Sequence, residues 1–142
     1  MTRHKTELAN YRFERALETS DEAELAYQHD KMNLAENRIY YAMFYMVQAL
    51  SILSDFSTSK HTTLKGWFNK EFIFTRIIET KYYKIYNRAF DKRQEGDYDD
   101  FITFDKEEVK EDIETMKEFL ENIGTSLEKE WTPERNQFQI FT

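Results

Sequence analysis

The feature that most constrains this chain is an apolar stripe at helical spacing in its last third. Apolar side chains recur there at alternating steps of four and three residues, at Val109, Ile113, Met116, Leu120, Ile123 and Leu127. Residues with this spacing lie along one face of an α-helix. The sequence therefore predicts a long amphipathic helix that ends near Leu127. It begins near Asp105, which forms the pattern of a capping box with Glu108.

Further segments show the same helical spacing, and few residues interrupt them. They run close to Thr6–His29, Met32–Leu53, Thr62–Phe72 and Thr80–Gln94. The chain has only three glycines and one proline, which argues against an all-β fold with many tight turns. Without strand patterns between them, these segments predict an all-α fold, an up-and-down bundle of four to five antiparallel helices. We expect Gly96 to end the fourth helix.

The length of 142 residues fits a single domain with one hydrophobic core. We expect a helical domain over residues 1–128 and a C-terminal tail over residues 129–142, in which Pro133 interrupts the helical pattern. The sequence has no cysteine, so it can form no disulfide and no thiolate site. It also lacks an apolar run of about 18 residues, the minimum for a membrane span. We therefore expect a cytoplasmic protein that does not bind membranes.

The second predicted helix is apolar on almost all sides, as is typical of the central helix of a bundle. Its polar exceptions follow one seam, at Arg38, Tyr41, Tyr45 and Gln48. A tyrosine can bury its ring and still offer a hydroxyl group for hydrogen bonding. The seam either satisfies Arg38 within the core or lines a polar pocket that faces Arg93 of the fourth helix.

Arg93 is the most informative single residue. It shares a helical face with Tyr82, Tyr86 and Ala89, so it points towards packed side chains rather than bulk water. A guanidinium group there needs a partner, because burial of an unpaired charge is very costly. One interpretation is a structural ion pair with an aspartate of residues 97–100, and the other is a fork that grips a phosphate group. The chemistry of the residues alone favours the ion pair.

Charge is distributed unevenly along the chain. The net charge of −7 argues against nonspecific nucleic-acid binding, but residues 60–94 carry +6 and residues 95–142 carry −10. Four cations of the basic segment form a stripe at helical spacing, at Lys81, Lys84, Arg88 and Lys92. Such a stripe could follow a nucleic-acid backbone or could be an ordinary solvated surface. Lys60, in the sequence Ser-Lys-His before the third helix, either caps that helix or contacts a phosphate.

The sequence predicts neither a metal site nor a cofactor. The histidines at positions 4, 29 and 61 are widely spaced, and no zinc or calcium motif is present. The glycines at positions 66, 96 and 124 are isolated, so none forms a phosphate-binding loop. The sequence around its serines lacks the nucleophile elbow of a hydrolase.

Three separated stretches, however, carry a family resemblance. They are Asn37–Phe44, Ser59–Phe72 and Phe90–Asp100, which occur in this order within residues 5–125. Together they resemble the HEPN domain family, small helical proteins found beside nucleotidyltransferases and in RNA-targeting defence systems. The Asp-Tyr sequence after Arg93 is similar to the stand-alone branch that is often encoded beside a minimal nucleotidyltransferase.

The resemblance implies a helical bundle that dimerises, with a composite site between the two protomers. That site would combine the motif arginine, matched by Arg93, with polar residues of the second helix, matched by Asn37 and Arg38. It implies Arg93 and Tyr98 as candidate catalytic residues. It also implies binding of RNA or a nucleotide, for which Arg38, Tyr41, Lys60, Lys81, Lys84, Arg88 and Arg93 are the candidates.

Tyr98 departs from the pattern of HEPN ribonucleases, which carry a histidine after the motif arginine. A phenol ionises near pH 10, against about 6.5 for an imidazole, so it is a poor proton carrier at neutral pH. We therefore expect a component of a toxin–antitoxin-like pair with a nucleotidyltransferase that cleaves RNA poorly or not at all. The alternatives are an active metal-independent ribonuclease toxin and a purely structural dimeric module.

Overall fold

The computed structural model describes residues 2–99 and 101–130, with side chains from residue 4 to 99 and from 101 to 127. This part of the chain forms helices α1 (Thr2–Gln28), α2 (Met32–Leu53), α3 (His61–Phe68), α4 (Thr80–Tyr98) and α5 (Lys106–Glu130). A π-helical segment, Asn69–Ile73, directly follows α3. The predicted all-α fold is confirmed. The division into a domain and a tail stays a prediction, since residues 131–142 lie outside the described part.

Ion pairs between helices define the topology of the bundle. Lys5 and Asp55 join the start of α1 to the residues after α2, so these helices are antiparallel. Lys81 near the start of α4 meets Glu118 in the second half of α5, so α4 and α5 are also antiparallel. Lys106, at the start of α5, pairs with Asp30 just before α2. Consequently α2 and α5 run parallel, and α2 lies at the centre of the bundle, in contact with α1, α3, α4 and α5.

Small side chains allow α1 and α2 to pack closely. Each helix carries fully buried alanines at seven-residue spacing, at Ala9, Ala16 and Ala23 in α1 and at Ala35, Ala42 and Ala49 in α2. Alanines at this spacing lie along one face of a helix and let two backbones approach one another. This pair has the most extensive contact in the bundle. The close contact holds the polar seam of α2 beside α1.

The predicted third helix, near Thr62–Phe72, corresponds to helical residues 61–73, which are α-helical to Phe68 and then π-helical. One predicted helix end is wrong, because Gly96 does not end the fourth helix, which continues to Tyr98. The ring of Phe104 packs closely on this glycine instead, since a Cβ atom at position 96 would lie 3.0 Å from the Cε2 atom of Phe104. The extra turn carries Asp97 and Tyr98 on α4.

A charged cluster lies inside the bundle, between α2, α4 and α5. Lys92 is only 8% exposed, and its Nζ atom forms ion pairs with Asp112 at 2.5 Å and Glu108 at 2.6 Å. Glu36, 1% exposed, lies 3.7 Å from the same atom. Burial, reinforced by the neighbouring Asp112, raises the pKa of Glu36 to about 9. The prediction that Lys92 belongs to an exposed basic stripe is therefore wrong.

Candidate functional site

Arg93 lies between α4 and α2, and its side chain is 16% exposed. Its NH2 atom donates a hydrogen bond of 3.1 Å to the hydroxyl group of Tyr41. Its Nε atom lies 3.0 Å from the carboxylate of Asp97, an ion pair without the geometry of a regular hydrogen bond. The NH1 atom has no hydrogen-bond partner among the described residues and is not buried. The guanidinium group is thus held in place while one of its donors stays free.

The polar seam of α2 reaches the same place. The Nε and NH2 atoms of Arg38 donate to the Oδ1 atom of Asn37 at 3.0 Å and 2.7 Å. The NH1 atom of Arg38 pairs with Glu22 of α1 at 3.2 Å. Asn37 in turn donates to the Oδ2 atom of Asp97 at 3.2 Å. The network therefore joins Glu22, Arg38, Asn37, Asp97 and Arg93 across three helices.

Both guanidinium groups also lie over the ring of Tyr41. The Cζ atoms of Arg38 and Arg93 are each 5.3 Å from the centroid of this ring. At this distance the ring attracts a cation through its negative face. Glu22 and Asp97 balance the two arginines, so the network is formally neutral. The network therefore has no excess positive charge to attract an anion. An anion bound here would instead accept hydrogen bonds from N–H groups of the arginines that the carboxylates do not engage.

His61, the first residue of α3, packs against the same tyrosines as Arg93. Its Nδ1 atom lies 2.8 Å from the hydroxyl group of Tyr40. Its ring stacks on Phe44 with 4.3 Å between centroids and meets the Tyr41 ring edge-on at 5.6 Å. Burial and the positive charge of Arg93 lower the pKa of His61. We refer to the region around Asn37, Tyr41, His61, Arg93 and Asp97 as the Arg93 cleft.

The sequence does not single out His61 as a site residue. The Ser-Lys-His sequence predicts either a cap of the third helix or a phosphate contact by Lys60. Lys60 indeed precedes α3, and its carbonyl oxygen accepts a hydrogen bond from the backbone of Leu64. Its side chain is exposed. The contact of His61 with Tyr40 links residues 21 positions apart, and no spacing in the sequence indicates it.

Tyr98 lies at the mouth of the Arg93 cleft. It is the last residue of α4 and is 76% exposed, with its ring 6.0 Å from the Cζ atom of Arg93. The nearby Phe101 is 95% exposed. Exposed rings beside a cation can stack on the bases of a single-stranded nucleic acid. The structure thus brings together Arg38, Tyr41, Arg93 and Tyr98 of the predicted site residues.

The predicted basic stripe lies elsewhere, on the side of α4 that faces α5. Lys81 pairs with Glu118 at 2.8 Å. Arg88 lies 3.6 Å from Glu108 and 3.7 Å from Asp112. Lys84 is exposed. The acidic helix α5 therefore neutralises much of this stripe.

Within residues 2–99 and 101–130, no group of three acidic, histidine or cysteine side chains is arranged to hold a metal ion. In the same part of the chain, no helix is both long enough and apolar enough to cross a membrane.

The fold and the cleft define a small all-α protein with a polar, arginine-containing cleft between its second, third and fourth helices. The family model of the HEPN domain matches residues 9–127. The chain therefore belongs to the HEPN domain family.

The chain is also similar in sequence to two other proteins. A protein of Thermotoga maritima named "UPF0332 protein" is 38% identical over 124 residues, which cover 87% of this chain and 94% of that protein. A protein of Methanocaldococcus jannaschii named "Putative toxin MJ0142" is 36% identical over 107 residues, or 75% of this chain and 72% of that protein. The chain thus spans most of the length of both relatives, and one of them bears the name of a toxin.

Proposed function

We propose that this protein binds RNA or a nucleotide through the Arg93 cleft, as the HEPN component of a toxin–antitoxin-like pair. The observation that carries the proposal is the placement of Arg93. Tyr41 and Asp97 fix its guanidinium group, while the NH1 atom has no hydrogen-bond partner among the described residues and is not buried. A fixed guanidinium group with a free donor is suited to a phosphate oxygen. The toxin name of one relative supports the pairing.

The chemistry of position 98 supports binding with little or no cleavage. The motif histidine is replaced by Tyr98, which is exposed and carries a phenol rather than an imidazole. Metal-free cleavage of RNA requires a group that gives and takes protons near neutral pH. In the proposal, Arg93 and Tyr98 hold the ligand and do not process it.

Replacement of Arg93 by glutamine should weaken RNA binding about tenfold or more, because it removes a charge-assisted hydrogen bond. Fluorescence anisotropy of a labelled single-stranded RNA of mixed sequence measures this change. Arg76→Gln is the matched control. Arg76 is exposed and lies just before the start of α4, whereas Arg93 lies near the end of this helix. Equal affinity of the Arg93→Gln variant and the parent would remove the cleft from the proposal.

The same RNA should remain intact in EDTA over hours, as judged on a denaturing gel. Cleavage by the parent protein that disappears in Arg93→Gln would establish the alternative of a metal-independent ribonuclease toxin.

The basic stripe is a proposed secondary contact for RNA. A triple alanine variant removes its exposed cations, Lys81, Lys84 and Arg88. We expect a smaller loss than for Arg93→Gln, because acidic residues of α5 already pair with two of the three cations. The slope of the logarithm of affinity against the logarithm of salt concentration should also become shallower. An unchanged slope would show that RNA does not reach this surface.

We further propose that the protein forms a homodimer and pairs with a minimal nucleotidyltransferase. The apolar faces of α2 and α4 are buried within the protomer, so they do not provide the interface. Leu25 of α1 and Leu34 of α2 are instead 55% and 48% exposed. They line a groove of about 450 Å³ that extends to Arg38. A second copy on this groove would adjoin the Arg93 cleft. Co-purification with a nucleotidyltransferase encoded beside the gene tests the pairing.

A further inference from the structure

His61 and Arg93 are held against the same pair of tyrosine rings. The Cζ atom of Arg93 lies 5.8 Å from the ring centroid of Tyr40 and 5.3 Å from that of Tyr41. The His61 ring lies 5.5 Å and 5.6 Å from the same two centroids. The two side chains come from different helices, α3 and α4, and converge on α2. His61 is therefore an imidazole in the Arg93 cleft, although it is not the motif histidine.

The burial of Tyr40 decides which nitrogen of His61 carries the hydrogen. Tyr40 and Tyr86 are both fully buried, and their rings stack with 6.0 Å between centroids. The Tyr86 hydroxyl has no hydrogen-bond partner among the described residues, so it does not accept from Tyr40. If His61 donated from Nδ1 to Tyr40, the hydrogen of Tyr40 would therefore have no acceptor among the described residues. An unpaired buried donor is costly.

The opposite direction satisfies the hydrogen of Tyr40. Tyr40 then donates to the Nδ1 atom of His61 at 2.8 Å. A neutral imidazole that accepts at Nδ1 carries its hydrogen on Nε2. The Nε2 atom has no hydrogen-bond partner in the described part of the chain and is not buried. It is therefore an available N–H donor on a side chain that packs against the same two tyrosine rings as Arg93.

The surroundings keep this donor neutral. A proton added to His61 would have to sit on Nδ1, where Tyr40 donates. Burial and Arg93 lower the pKa of the imidazole, and burial raises the pKa of Tyr40, so neither group readily becomes charged. A neutral donor brings no charge that would compete with Arg93 for Asp97. It also cannot take up a proton at Nε2, so it is unsuited to act as a general base there.

We propose that His61 is the second phosphate ligand of the Arg93 cleft. Its Nε2–H group donates to one non-bridging oxygen of a phosphate ester, and the NH1 group of Arg93 donates to another. Tyr40 acts as the positioning residue that fixes the tautomer of His61. This inference rests on the proposed function, because it names how the phosphate of RNA or of a nucleotide is held. It also gives a reason for binding without cleavage.

NMR of the ¹⁵N-labelled protein tests the tautomer directly. The long-range ¹H–¹⁵N spectrum contains signals of three histidines, and His61→Gln assigns the signal of interest. We expect the Nε2–H tautomer for His61 and a titration midpoint below that of a free imidazole, near 6.5. Addition of adenosine 5′-monophosphate at pH 7.5 should shift the His61 Nε2 signal and leave those of His4 and His29 in place. The Nδ1–H tautomer, or no shift, would overturn the inference.

Binding of the same labelled RNA provides the second readout. His61→Phe keeps a ring that can stack on Phe44 but has no donor, and we expect about a tenfold loss of affinity. His61→Gln restores an N–H donor and should recover part of that loss. His4→Phe, at an exposed position in α1, is the control that should bind as the parent does. Circular dichroism of each variant at the assay temperature verifies that the helical fold is retained.

The outcomes separate the inference from the proposed function. If His61→Phe binds RNA as the parent does while Arg93→Gln does not, the role of His61 is refuted and the proposed function stands. If the parent does not bind RNA but the His61 signal responds to adenosine 5′-monophosphate, RNA binding is refuted and the phosphate site stands. If neither ligand is bound, both fail.

Discussion

Replacement of Lys92 by methionine should lower the free energy of unfolding by about 3 to 5 kcal/mol, a large part of the stability of a domain of this size. Lys92 is the cation that approaches the buried Glu36 and Asp112 and the partly buried Glu108. Methionine matches the length of the side chain and removes only the charge and its hydrogen bonds. The carboxylates would then remain in the bundle with Arg88 as their closest described cation, at 3.6 Å or more.

Urea unfolding followed by circular dichroism measures this loss, at one fixed protein concentration because association would also shift the midpoint. Lys84→Met is the matched control on the same helix. Lys84 is exposed, so its replacement should change stability by less than about 0.5 kcal/mol. If both variants lost a similar amount of unfolding free energy, Lys92 would contribute no more to stability than an exposed lysine does.

The pH dependence identifies the cluster as the cause. The pKa of Glu36 is raised from 4.5 to about 9 in the folded protein. The contribution of protonated Glu36 to the free energy of unfolding is therefore fully present below pH 4.5. It is lost as the pH rises towards 9. Lys92 moderates this loss, since it attracts the carboxylate of Glu36 once that group ionises. Because Glu36 ionises in the folded protein only near pH 9, we expect the deficit of Lys92→Met to be larger at pH 9.5 than at pH 5, and Glu36→Gln to reduce this difference.

The sequence predicted the helices well wherever apolar periodicity decided the structure. The second helix has the predicted bounds, Met32–Leu53, because it is apolar on nearly every side and must lie at the centre of the bundle. The pattern was misleading where backbone geometry depends on distant residues. Gly96 resembles a helix stop in the sequence, yet it lies inside α4, where the ring of Phe104 packs closely against it from the segment after the helix.

In the candidate site, too, the sequence predicts helical phase but not contacts between residues that are distant in the chain. The helical phase of Arg93 correctly placed it against packed aromatic residues, and the structure brings it to Tyr41 of the predicted seam. The two interpretations of Arg93 are compatible, because its Nε atom forms an ion pair with Asp97 while NH1 has no hydrogen-bond partner among the described residues. His61 was missed because its position depends on contacts with Tyr40 and Phe44, on another helix. Such contacts leave no periodic signal in a single sequence.

Introduction of charge into the groove beside the cleft should convert the proposed homodimer to a monomer. In a two-fold symmetric interface each substitution occurs twice, so Leu25→Glu with Leu34→Glu places four new carboxylates in one patch. Like charges brought together at an interface cost several kcal/mol. A cost of about 3 kcal/mol already weakens the association at least 100-fold. A stable interface of standard size, about 1,600 Å² in total, would not persist with such a loss at its centre.

Size-exclusion chromatography with light scattering, at tens of micromolar protein, distinguishes the two states by mass. The protomer mass is 17.3 kDa, and the parent should show twice this value. Because Lys31 and Arg38 line the groove and could pair with new carboxylates, Leu25→Arg with Leu34→Arg provides the test with the opposite charge, and it should also be monomeric. Leu8→Glu is the control, since Leu8 is 44% exposed near the other end of α1. A monomeric parent would refute the homodimer, and a dimeric pair of charged variants would place its interface on another surface.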